Sequence, residues 1–285
     1  METFKLAKRD IVLGVRKKMR YPVFVIVCLI GCMNFSGLME DGLELFGKSN
    51  PSMANCFAFI FQGIEPMIRK NTMSEFVIPP VWLMLMLLYL LMPLDYPIKS
   101  MEVWGSQYLI RTSRRSWWNA KCIYTIVINI LTFLLQIMII FLFCLIKQMP
   151  ISMHNNQKFY EALYGGNGVH SSLEISVWGN ILLLIVLPLL GIVAMSMFQL
   201  FVAVWINPYI AYLLSIGILV CSVLLDSPIL LANHTMTIRS ALVCENGIGI
   251  GEAILWCIGI MALVWIMGVL FVKKKDMLVL KKEDV

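Results

Sequence analysis

The sequence predicts an all-α polytopic membrane protein, and three observations predict it. Of 285 residues, 60% are apolar and 14% charged, with a mean hydropathy of +0.82. A soluble domain cannot hide that much apolar surface. The apolar residues gather in runs long enough to cross hydrocarbon as helices. Between and beside the runs, Lys and Arg cluster as they do on the cytoplasmic face of a bilayer. The expectation is one transmembrane domain over 1–285, with six spans.

Residues 1–21 carry Lys5, Lys8, Arg9, Arg16, Lys17, Lys18 and Arg20. Phe4, Ile11, Val12, Val15 and Met19 recur among them at helical spacing, which predicts an amphipathic helix along the inner interface. A secretory signal also opens on a basic stretch, but no small-x-small cleavage site follows Leu38, so no cleavage is expected. The first span is 22–38, with Pro22 suited to a helix start. Residues 39–75 form an outside segment containing the apolar piece Met53–Ile64. At ~1.5 Å per residue that piece is too short to cross ~30 Å of hydrocarbon, so it reads as an interfacial or re-entrant helix. The second span is 76–93.

Next comes the most distinctive stretch, DYPIKSMEVWGSQYLIRTSRRSWWNAK at 95–121. Lys99, Arg111, Arg114, Arg115 and Lys121 join Trp104, Trp117 and Trp118 between two apolar runs. Such a loop belongs on the cytoplasmic side with Trp at headgroup level. It serves either as a topology anchor or as a helical elbow that docks a cytosolic partner, and composition leaves both open.

The third span is 122–146. Thr125, Asn129, Thr132 and Gln136 are spaced i, i+4, i+7 and i+11 and share one helix face. Polar groups in lipid need partners, so this face should point into the bundle, either for interhelical hydrogen bonds or as a wall of a substrate pathway. Residues 147–172 are an outside loop with a GGNG turn at 165–168. It lacks the Lys-Ser/Thr and following helix of a phosphate loop. The next apolar run, Leu173–Ile206, is too long for one straight span; a span at 179–206 kinked at Pro188 and Gly191 is expected. Asn207-Pro208 makes a tight inner turn into the span 209–225, so those two helices are antiparallel neighbours. Residues 226–252 read as a broken helical hairpin in the outer leaflet, where irregular backbone must be buried in protein. The last span, 253–272, has Glu252 at its positive end and Lys273–Lys275 at its negative end.

Topology follows from charge. With both termini cytoplasmic, seven Lys and Arg in the N-terminal segment, five in the 95–121 loop and five in the tail lie inside, leaving six of 23 outside. The predicted location is the plasma membrane, multi-pass, with the lipid bilayer as first partner and no nucleic acid. Most of the eight cysteines fall in or beside apolar runs and read as small buried residues. Cys56 and Cys244, in outside segments, leave a disulfide open.

Several chemistries find no residues. No GxxxxGK[ST] occurs, so this chain does not hydrolyse ATP by a phosphate loop. His154, His170 and His234 are isolated and lack metal-ligand spacing. No span core holds a charge, which argues against an ion-coupled carrier. No paired carboxylates, HExxH or Ser/His arrangement suggests an intramembrane enzyme.

On these residues the chain resembles the membrane (permease) subunits of type-2 ABC exporters. Three features carry the likeness: the basic amphipathic N-terminal helix, the Gly105–Lys121 elbow GSQYLIRTSRRSWWNAK, and six spans with a re-entrant segment before the last. The resemblance implies that Arg111, Thr112, Arg114, Arg115, Trp117, Trp118 and Lys121 couple the chain to a separate P-loop ATPase subunit. That subunit would bind ATP and Mg, with no cofactor in this chain. It also implies a second permease, either an identical or a related chain, and outward movement of an amphipathic peptide or lipophilic molecule by alternating access. The large outside domain of macrolide-exporter and bacitracin-resistance relatives is missing. The competing reading is a non-transport membrane protein, such as an immunity or sensor protein that binds a peptide.

Overall fold

A computed structural model describes residues 2–16, 20–41, 51–64, 79–94, 113–154, 163, 175–244 and 246–272. The loop at 95–112, with Arg111 and Thr112, lies outside them, as do the turn at 165–168 and the lysines at 273–275. Among the described residues every regular element is helical. In chain order they are α1 (Glu2–Arg16), α2 (Arg20–Asp41), α3 (Met53–Ile60), α4 (Pro80–Leu94), α5 (Arg114–Ile146), α6 (Val177–Trp205), α7 (Pro208–Leu224) and α8 (Ile250–Val272). Four of these, α2, α5, α6 and α8, are long and apolar enough to cross a membrane; α4 and α7 are apolar but shorter.

Local chemistry sets the helix starts. Ser113 caps α5 by accepting from Ser116 N at 3.1 Å. Asn207 caps α7 by accepting from Tyr209 N at 2.8 Å, and Pro208 follows at the first helical position, where its missing N–H costs nothing. The α5 cap moves a boundary. The sequence reading starts the third span at 122, but the helix begins at Arg114 and runs 33 residues without interruption. The end of the expected loop is therefore helical, and the reason is burial: Trp117, Trp118, Ala120 and Lys121 pack into the interior.

The kink expected at Pro188 takes a different form. Leu182–Val186 is a π turn, with Leu187 N donating to Leu182 O. Proline removes one helical N–H and crowds the carbonyl four residues earlier, and the wider turn just before it absorbs that strain.

Helices α5 and α6 occupy the centre. Helix α5 packs against α1, α2, α6 and α8, and α6 packs in addition against α7. Gly268 on α8 makes one of these contacts possible, since a Cβ there would come within 1.9 Å of the fully buried Trp118 ring. Gly268→Ala is expected to destabilise the fold by about 1–3 kcal/mol through overpacking. Denaturant titration in detergent micelles measures it, and a variant of unchanged midpoint would show that the ring can move. On the opposite face of α8, Leu255, Leu263 and Ile266 are exposed, a surface suited to lipid.

At the end of the bundle away from α1, irregular backbone closes the structure. The segment after α7 is two 3-10 turns, Leu231–Thr235 and Thr237–Arg239, rather than the helical hairpin expected there. Residues 231–240 are buried throughout. Thr237 N and Ile238 N donate to the carbonyls of Phe61 and Gln62 just past α3, and Met53 N donates to Pro150 O. Gly247 fits because a Cβ would meet the Ser240–Ala241 backbone at 2.4–2.5 Å. Cys56 and Cys244 are both buried and unbridged.

Candidate functional site

Two features stand out along α5, one at its start and one in its middle. At the start, Arg114 and Arg115 are exposed on the first turn. Their neighbours are not. Trp117 is 4% and Trp118 0% exposed; Trp118 Nε1 donates to Trp265 O at 3.1 Å, and its ring packs edge-on against Phe201. The two tryptophans therefore join α5 to α6 and α8, where the sequence reading puts them at the membrane interface. Lys121 is also withdrawn. Its Nζ sits 2.8 Å from Asp10 Oδ2, with side-chain exposures of 2% and 7%, and 5.7 Å from the Trp117 ring centroid.

Asp10 belongs to α1, and its face explains the pairing. Ala7, Asp10 and Gly14 are the buried positions of α1. Gly14 lies so close to the Tyr124 ring that a Cβ would meet it at 2.6 Å. The small residues let α1 approach α5 until the carboxylate reaches Lys121. A buried charge is tolerable only when paired, so the contact fixes α1 and the start of α5 as one unit.

One turn further along, the predicted polar face is present and fully buried. Thr125, Asn129, Thr132 and Gln136 are each 0% exposed. They divide into two pairs. Thr132 donates to Ile128 O at 2.8 Å and is in hydrogen-bonding contact with Tyr21. Gln136 Oε1 accepts from Tyr89 OH. This pair ties α5 to α2 and α4, the interhelical bonding role. Thr125 Oγ1 and both carboxamide atoms of Asn129 have no hydrogen-bond partner. Helix α6 faces them with two residues that the sequence reading passed over, Ser196 and Gln199, each 1% exposed and likewise unpartnered at Ser196 Oγ, Gln199 Nε2 and Gln199 Oε1.

The far-end closure has its own hub. Arg239, 2% exposed, donates from Nε to Ile64 O at 3.0 Å and from Nη2 to Val223 O at 3.1 Å. Its Nη1 reaches Leu225 O and Asn233 Oδ1. Val223 and Leu225 end α7, where carbonyls lack helical partners and the helix dipole is negative, so a guanidinium is well placed there. His234, beside it in sequence, contacts Pro228 O at 2.8 Å. Burial pushes its pKa below the ordinary imidazole value, against the raising influence of Pro228 and Glu252. Among the described residues no group of three His, Cys, Asp or Glu side chains is placed to hold a metal ion.

No protein-family model matches the chain, and no curated protein or solved structure is significantly similar to it.

Proposed function

We propose that the chain is the membrane subunit of an ATP-driven exporter that works with a separate P-loop ATPase and a second membrane subunit, identical or related. In this reading α2, α4, α5, α6, α7 and α8 are the six spans, and α1 lies on the cytoplasmic surface. Helix α3 and the 3-10 segment form the outer closure. The shorter spans α4 and α7 are accommodated by local thinning of the bilayer. Charge placement supports the orientation, since the basic helix α1 packs beside the start of α5, which carries Arg114, Arg115 and Lys121.

The observation that carries the reading is the continuity of α5. One unbroken helix of 33 residues, ~50 Å long at 1.5 Å per residue, has two exposed arginines on its first turn and an interior polar face from its second third onward. A push on the arginine end reaches the polar face with no hinge between them. The buried ion pair makes α1 part of the same lever. Such a device suits alternating access, in which partner closure at one end rearranges packing in the interior.

The test replaces Arg114 and Arg115 together by Lys. Planar guanidinium groups grip carboxylates and backbone two atoms at a time, whereas Lys offers a point charge. Insertion and abundance should be unchanged, because positive-inside topology counts charge alone. Substrate-stimulated ATPase activity of the reconstituted pair should fall about tenfold, the size of a lost charge-assisted contact. Wild-type coupling in the double Lys variant would reduce the segment to a topology signal.

A further inference from the structure

The α5–α6 seam carries an unusual density of orphaned polar atoms. Six of them, on Thr125, Asn129, Ser196 and Gln199, are buried without a hydrogen-bond partner, and no residue of the four is more than 1% exposed. Each such group destabilises a fold if left unmet. A sequence free to choose would place Leu or Val there. Interior polar groups in a membrane protein are otherwise matched across helices, as the Gln136 carbonyl is by Tyr89 here.

Trapped solvent does not remove the difficulty. At the last turn of α4 a crevice gathers Pro93, Leu94, Thr125, Ser196, Gln199 and Leu200. As closed, it has no room for even one water molecule, which needs space and two or more polar partners. Asn129 stands one helical turn beyond Thr125 on the same face of α5. The polar groups come from two helices, while the third, α4, contributes only apolar wall. A ligand can therefore enter by parting the end of α4 from the seam.

We propose that this seam is a binding site for a neutral, amide-bearing molecule with apolar flanks, of which a short stretch of peptide backbone is the type. The chemistry of the lining selects that class. Asn129 and Gln199 each present a carbonyl acceptor and an amide donor side by side, which matches the N–H and C=O of a secondary amide in a two-point contact. Thr125 and Ser196 add hydroxyls that donate or accept. Pro93, Leu94 and Leu200 provide the apolar contact area typical of ligand sites. Among the described residues the lining carries no charge, so an ionised group would enter without a counter-ion from them in a low-dielectric surround, and charged ligands are disfavoured. Naming this molecule as cargo rests on the exporter reading; the binding itself does not.

The experiment uses the full chain in lipid nanodiscs and the probe N-acetyl-leucyl-phenylalaninamide, a neutral capped dipeptide. The thermal unfolding midpoint should rise saturably with the probe. The same dipeptide with free, charged ends should bind at least ~10-fold more weakly. The double variant Asn129→Leu with Gln199→Met removes four orphaned atoms at nearly constant volume. It should lose at least ~10-fold in probe affinity, and its midpoint without probe should rise above that of the natural chain. Should the double variant fail to fold, Thr125→Val and Ser196→Ala each weaken probe binding severalfold. Absence of a saturable shift, equal binding of the charged dipeptide, or unchanged binding in the variants each overturns the site. Saturable binding in a chain that activates no ATPase would keep the site and discard the exporter reading. An ATPase partner without probe binding would do the reverse.

Discussion

Replacing Lys121 by Met will destabilise the folded chain by about 3–5 kcal/mol, the usual consequence of breaking a buried ion pair from one side. The carboxylate that loses its ion-pair partner is Asp10, only 7% exposed at its side chain and 2.8 Å from the ammonium. Gly14 against Tyr124 and the buried Ala7 hold α1 close to α5 around the pair. Asp10→Leu alone should be comparably harmful, because it removes the ion-pair partner of Lys121. The two substitutions together should recover most of the loss, since a well-packed apolar pair often equals or exceeds a buried ion pair. Denaturant titration of the purified single and double variants gives the cycle. Additive losses in the double variant would show that the two side chains act independently.

Arg239→Met should have an effect of similar size at the other end of the molecule, about 3–5 kcal/mol. The change removes donors from three backbone carbonyls and the Asn233 carboxamide at once; Leu225 O keeps its bond from Asn233 Nδ2, and each acceptor left buried and unmet costs about 1–3 kcal/mol. Arg239→Lys should fall between, because a single ammonium cannot reach Ile64, Val223 and Leu225 together. The loss should be local as well as global. A cysteine introduced at Thr237, in a background without native cysteines, should become reactive to a thiol reagent in the Met variant and stay protected in its absence. Protection unchanged by the Met substitution would mean that the closure rests on other contacts, such as the bond from Trp82 Nε1 to Thr235 Oγ1 at 3.0 Å.

Much of this architecture was legible in the chain. Continuous apolar runs locate the four helices long enough to cross a membrane, and the shorter apolar α4 and α7, to within a few residues at most ends, because hydropathy and the 1.5 Å rise leave little freedom. The i, i+4, i+7, i+11 pattern places Thr125 to Gln136 on one buried face. Where the reading missed, the deciding interaction is long in sequence. The residues from Arg114 to Lys121 read as an elbow apart from the third span, until α1 and α8 supply partners for Lys121 and Trp118 and make them its first turns. Asp10 sits in a stretch that reads as an exposed basic face, and only the approach permitted by Ala7 and Gly14 buries it. Arg239 gathers carbonyls from Ile64 and from the end of α7, which no periodicity announces. Ser196 and Gln199 are a different case. Two polar residues at i, i+3 inside the apolar run Leu187–Trp205 were visible signals, overshadowed by Pro188 in the same run.

The π turn in α6 has a geometric consequence for the seam. Such a turn holds one residue more than an α turn, and one residue is worth ~100° of rotation. Helix α6 is pinned at its beginning, where Asn180 Nδ2 donates to Met153 O at 2.8 Å, so the phase of everything after Val186 is set by that single additional residue. Ser196 and Gln199 meet α5 because the helix is wound one step out of phase there. Deleting one residue between Leu182 and Val186 would let the hydrogen bonds heal into a regular helix and leave Ser196 and Gln199 aimed as they are, whereas a regular helix of unchanged length would turn both side chains away by about 100°. The width of one turn, fifteen or so ångströms away along the axis at ~1.5 Å per residue, is therefore the setting that aims the polar face of α6.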